Sequence, residues 1–142
     1  MKKLFTLALI LISGILSAQK DTIVNVGIYE SYYSYDIGQP ISVTYKLYKG
    51  GGDCDRKEEG FRFKRDTVIK NITATIVDYS ATGYDQGHLA NAEDFASDCD
   101  KEGLTFRFYN CIPQTAKLNR GIWKVNETEL RKLSQTDSLL IT

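Results

Sequence analysis

Two rhythms of apolar and polar positions run along this chain, and the change from one to the other marks its elements. "ISVTYKLY" (41–48) alternates with period two and predicts a strand. "NITATIVDYS" (71–80) and "LTFRFYNCI" (104–112) predict two more, the second with Phe106 and Phe108 on one face. Upstream, "YESYYSY" (29–35) puts Tyr29, Tyr33 and Tyr35 on one strand face and Tyr32 on the other, a pattern that core packing explains. The period then lengthens. In "TAKLNRGIWKVNETELRKLSQ" (115–135), Leu118, Ile122 and Val125 recur at helical spacing, and Trp123, Leu130 and Leu133 widen the stripe. Lys124, Glu127, Thr128 and Arg131 fall opposite. "KGGGDCD" (49–55) is expected to be a loop, since three glycines weaken any regular element. So is "TGYDQGHLANAEDF" (82–95). The order is strands, loop, strand, helix, which is an α+β arrangement.

The N-terminus follows a different pattern. Lys2 and Lys3 precede an apolar run from Leu4 to Leu16, and Ser17-Ala18 gives a small-residue exit. This predicts a secretory signal peptide over 1–18, too short to span a bilayer, and a secreted or periplasmic domain over 19–142. No cysteine follows the run, so no lipid-anchored form is expected, and no later stretch is apolar for long enough to cross a membrane. A chain of this length suits one compact domain.

Charge narrows the options. Eighteen basic side chains balance eighteen acidic ones, and loss of Lys2 and Lys3 with the leader leaves 16 against 18, about −2. That argues against a large non-specific basic face, though not against a small local one. Of the three cysteines, Cys54 and Cys99 lie in polar, loop-like surroundings and are the expected disulfide pair. Cys111, between "FRFYN" and "IPQ", is expected to be a buried small hydrophobe.

His88 is the chain's one histidine. A zinc site of several imidazoles is thereby excluded, and the widely spaced cysteines lack paired ligand spacing. There is no Gly-x-Ser-x-Gly elbow. A metal would need oxygen ligands, which suits Mg²⁺ or a similar hard cation, and one imidazole beside it could serve as general base.

Two blocks carry a resemblance. "YDQGHLANAEDF" (84–95) resembles the "DRGH" region of the DNA/RNA non-specific endonucleases, the sugar-non-specific nucleases of the ββα-metal class. "FYNCIPQTAKLNRGIWKVNETELR" (108–131) is similar to their Asn-x-x-Pro-Gln segment, Asn-Arg-Gly-x-Trp and following helix. The resemblance is strong over 79–135 and implies a ββα-metal core with an antiparallel sheet. It implies DNA and RNA as substrates, with Mg²⁺ (or Mn²⁺) as cofactor. His88 matches the general base, Asn119 the metal ligand, Glu127 the carboxylate of the metal's water shell, and Arg131 the helix arginine that meets phosphate. Asn110 and Gln114 match polar positions that support the site or the substrate, and Asp85 is expected to orient the loop or the imidazole. Arg56, Arg62 and Arg65 are candidates for an upstream phosphate-binding arginine. The spacing does not choose among them, and Arg62 is carried as the expected contact.

Asn119 and Glu127 are roughly 12 Å apart on a continuous helix, so they can serve one ion only if Asn119 sits at the helix entrance. Two departures from the family stand out. Gln86 replaces the arginine of "DRGH", and the chain ends at "TDSLLIT", where family members usually continue for several strands. The expected activity is a secreted, Mg²⁺-dependent endonuclease. The alternative is a catalytically inactive or truncated secreted module that binds nucleic acid or protein.

Overall fold

The computed structural model describes residues 21–65 and 74–142, so the leader and the start of the strand expected over 71–80 lie outside the described residues. Strands β1 (Thr22–Asn25), β2 (Glu30–Ser34) and β3 (Gln39–Leu47) form an antiparallel meander, and β6 (Leu139–Ile141) pairs with β3 to give the order β1-β2-β3-β6. The inward positions Val24, Tyr33, Val43, Tyr45 and Leu47 are buried, together with Tyr29 just ahead of β2. Tyr32 stays exposed on the other face. On the far side of this core lie Phe63, Phe106, Phe108, Tyr109 and Cys111. Ser31 Oγ donates to the Tyr109 carbonyl, and Tyr29 Oη to that of Leu104 at 3.0 Å, which rivets the sheet to this second layer.

The second layer holds a two-stranded ribbon of β4 (Tyr84–His88) and β5 (Cys111–Thr115). After it comes a turn over Leu118–Trp123, which leaves helical geometry at Gly121 (φ −106°, ψ −114°), and then helix α3 (Lys124–Leu133). Two strands and a helix thus span 84–133. Two short helices complete the layer. α1 (Arg56–Glu59) is capped by Asp55, and α2 (Cys99–Thr105) by Asp98, each carboxylate accepting from two backbone N–H groups. Among the described residues no helix is long and apolar enough to cross a membrane.

Four expectations need correction. His88 does not sit in a loop: it ends β4, opposite Cys111. Residues 104–112 are not a strand either. Leu104 and Thr105 close α2, Phe108–Asn110 make one turn of 3-10 helix, and the ladder begins at Cys111. The alternation there has another cause, because Phe106 and Phe108 both pack around Phe63. Ile76–Asp78, within the strand expected over 71–80, is a 3-10 turn. The Asp78 carboxylate accepts from Thr75 N at 2.6 Å and Thr75 Oγ1 at 3.0 Å, a local bond that competes with a ladder. The helix predicted over 115–135 is shorter and broken, and of its apolar stripe Leu130 packs on the core while Leu118, Ile122, Val125 and Leu133 stay exposed.

Cys54 and Cys99 are joined in a disulfide, and Cys111 is buried with its thiol pushed up to about 12 by that burial. The glycine-rich segment 49–55 is a loop with a specific seat. At Gly52 (φ +157°) a Cβ would run into the backbone of Ala96 and Ser97.

Candidate functional site

A hollow of about 570 Å³ opens where the ribbon, the broken helix and α1 meet. Gln86 and His88 line it from β4, Asn119, Glu127 and Arg131 from the helical segment, and Arg56 from α1. A comparable hollow of about 540 Å³ against β2 and β3 is lined by none of these six.

His88 is placed from below by its neighbours. Its ring packs against Phe63 at 4.5 Å between centroids and edge-on to Phe106 at 4.7 Å. Nε2 is enclosed without a partner, while the residue as a whole is only half-buried and lines the hollow. Burial, and then the nearby Arg56 cation, hold its pKa below the usual 6.5, so the neutral ring is favoured. Asn110 secures the chain just beyond. Its Oδ1 accepts from Ala90 N at 2.7 Å, and its Nδ2 donates to the carbonyls of Ala90 and Thr105, both at 2.9 Å. Asn110 is fully buried and holds backbone. Gln114 is also buried, with its side chain filling the space a Cβ on Gly87 would need. Neither lines the hollow.

Asp85 holds a different partner from the one expected. Its carboxylate accepts from Asn119 Nδ2 at 3.0 Å and from Arg120 Nε and Nη2 at 2.8 and 2.6 Å, contacts that lower its pKa. It therefore fixes the Asn119 amide, with Oδ1 as the remaining acceptor, rather than the imidazole. The break at Gly121 puts Asn119 ahead of α3, so Asn119 and Glu127 share one hollow without sharing one helix. Glu127 is pushed up to about 7, first by burial and then by Asp94. Arg131 Nε donates to Asp94 Oδ1 at 2.9 Å, and Tyr45 Oη donates to Asp94 Oδ2 at 2.9 Å, which ties the arginine to the four-stranded sheet.

The upstream arginine that faces this hollow is Arg56. Arg62 lines a shallower recess beside it that also touches His88 and Asn119, and Arg65 bonds to the Ala74 carbonyl. Arg120, Lys124 and Asp94 were not singled out from the sequence. Arg120 adjoins Asn119 in "LNRG" and could have been found by that adjacency. Asp94 looks like one more loop acid until the fold sets it under Arg131.

The donor set suits a hard cation. Asn119 Oδ1 and the Glu127 carboxylate are oxygen donors on one wall, and a carboxyl held near neutral by burial is one that a cation would ionise. Among the described residues no group of three or more His, Cys, Asp and Glu could cage an ion. A largely hydrated ion fits two donors better than a caged one.

Comparison with known proteins gives a consistent result. A family model described as DNA/RNA non-specific endonuclease matches residues 9–141. Mitochondrial endonuclease G of Homo sapiens is 36% identical over 85 residues, covering 60% of this chain and 28% of that protein. A nuclease of Nostoc is 33% identical over 114 residues, covering 80% and 42%. A crystal structure of the EndoG/EndoGI complex, described as the mechanism of EndoG inhibition, superposes with a TM-score of 0.71 at 26% identity. That match covers 82% of this chain and 49% of the other. The chain thus spans under half the length of these relatives.

Proposed function

The chain belongs to the DNA/RNA non-specific endonuclease family and has its ββα-metal fold, and we propose that it is itself a metal-dependent endonuclease that hydrolyses phosphodiester bonds of DNA and RNA, with His88 as general base. One observation carries the reading: His88, Asn119, Glu127, Arg131 and Arg56, from four separate elements, line a single hollow. Packing alone gives no reason for this convergence of an imidazole, two oxygen donors and two guanidinium groups.

In this reading the neutral imidazole accepts a proton from the attacking water. Nε2 is shut away, so the acceptor is Nδ1. Asp85 holds Nδ2 of Asn119 and leaves Oδ1 for a divalent cation such as Mg²⁺ or Mn²⁺, and Glu127 meets that ion's water shell. When bound, the cation supplies positive charge to the phosphate and to the departing oxygen. Arg131, braced by Asp94, and Arg56, braced by two glutamates, donate to phosphate oxygens. Contacts of this kind address phosphate rather than base edges, which supports low sequence specificity. Export through the leader at 1–18 belongs to the same proposal, supported by Lys2, Lys3 and the apolar run that follows.

The test is digestion of plasmid DNA and of single-stranded RNA with Mg²⁺ or with EDTA. Loss of both substrates that stops with EDTA is the expected result. Folded protein that leaves both intact across several divalent metals would instead identify a non-catalytic module.

A further inference from the structure

A disulfide, a buried acid and a glycine-seated loop converge on one arginine of the site. Arg56 lies two residues after Cys54 and divides its donors: Nε bonds Glu102 Oε1, and Nη2 bonds Glu93 Oε2 at 2.6 Å. Nη1 has no partner among the described residues, and the side chain lines the hollow. Glu102 is fully buried, and its second oxygen has no partner. A carboxylate so enclosed is costly unless an ion meets it, so Glu102 and Arg56 need each other.

Covalent structure joins the same two elements. Cys99 opens α2 one turn before Glu102 and is bonded to Cys54, next to α1. The intervening loop is seated on the segment ahead of α2, where Cys54 N donates to the Ala96 carbonyl at 3.1 Å and Gly52 packs on the Ala96–Ser97 backbone. α1 itself is four residues long with no buried side chain, so it brings little anchorage of its own.

We propose that Glu102 is a positioning residue for Arg56, and that the Cys54–Cys99 disulfide keeps the two assembled, so that cleavage by this chain depends on the oxidised state of that bond. The inference rests on the nuclease reading above. In the switching step a dithiol reductant supplies two electrons and two protons. The S–S bond breaks, Cys54 and Cys99 become thiols, and the dithiol closes to its own disulfide. Without the tether the Arg56 segment parts from α2, and the guanidinium leaves its place in the hollow.

The experiment is a double-mutant cycle on the full chain, with a short oligonucleotide substrate, run oxidised and after dithiothreitol. Reduction of the wild type, and Glu102→Gln in the oxidised protein, are each expected to lower kcat about tenfold or more while KM moves less. In an Arg56→Ala background neither should cause further loss, because both act through that side chain. Proportional losses in that background, including loss by global unfolding, overturn the proposal. Phenylglyoxal labelling of Arg56, read by peptide mass spectrometry, tests positioning without activity. Labelling several-fold faster in the reduced protein and in Glu102→Gln is expected, and equal rates overturn the proposal. If the oxidised wild type cleaves nothing, the nuclease reading falls, while the labelling still decides whether Glu102 and the disulfide hold Arg56.

Discussion

Asn110 and Asp85 do their work on backbone and on another side chain, one step away from the hollow. Three buried backbone groups depend on Asn110. Asn110→Ala should therefore destabilise the fold by on the order of 3 kcal/mol in urea unfolding; a loss under about 0.5 kcal/mol would contradict the clamp. Asp85→Ala should leave the fold nearly intact but free the Asn119 amide to rotate. Cleavage should then need roughly tenfold more metal, as for other residues that orient a ligand; an unchanged metal requirement would contradict it. His88 links the site to stability. Burial first, and then Arg56, lowers its folded pKa below 6.5. Below that pH the unfolded chain takes up a proton that the folded chain refuses. Its contribution is thus complete above about pH 6.5 and declines as pH falls, by at most about 1.4 kcal/mol per unit. Unfolding measured between pH 6.5 and 5 should accordingly show a shallower decline for His88→Gln than for the wild type. Identical slopes would show that the ring is not enclosed. The identities of these residues were legible in "DQGH" and "NCIPQ", but their partners were not. Asp85 stands three residues from His88 in sequence, yet its partners lie 34 and 35 residues away.

At the scale of elements, the decisive feature is a helix that breaks. A continuous helix over 115–135 separates Asn119 from Glu127, and the departure at Gly121 brings both onto one hollow. The sequence marks that position only as a locally costly glycine. The ribbon has its own requirement, since Gln114 occupies the space beside Gly87. Gly87→Ala should cost about 1–3 kcal/mol by overpacking, and Gln114→Ala in the same chain should recover part of it. Additive losses in urea unfolding would show that the two residues do not meet. Period-two alternation identified β3 well, because that strand packs one face on the core. It failed at 104–112, where two phenylalanines reach one aromatic cluster from a helix end and a turn, and at 76–78, where the Thr75–Asp78 cap closes the chain on itself. The Cys54–Cys99 pair was legible from its polar surroundings. Its proximity to a site arginine was not, because that depends on where α1 and α2 meet.

For the whole molecule, the near-zero net charge accords with the proposal that nucleic acid is met by a few cations at one hollow rather than by a broad basic face. Arg56, Arg120, Lys124 and Arg131 line that hollow, and three of the four are already paired with carboxylates. Binding should therefore be only moderately salt-dependent, with log K against log salt falling at a slope of about −2 to −4. Whether one hollow combines, as proposed, an imidazole base with a metal held through Asn119 is decided by titrating Mg²⁺ into plasmid cleavage by the wild type, His88→Ala and Asn119→Ala. His88→Ala should lower the rate at saturating Mg²⁺ by a factor of about 10² or more without shifting the metal midpoint. Asn119→Ala should instead raise the metal midpoint at least about tenfold. Cleavage that persists in EDTA, or that survives His88→Ala at saturating metal, would contradict the proposal.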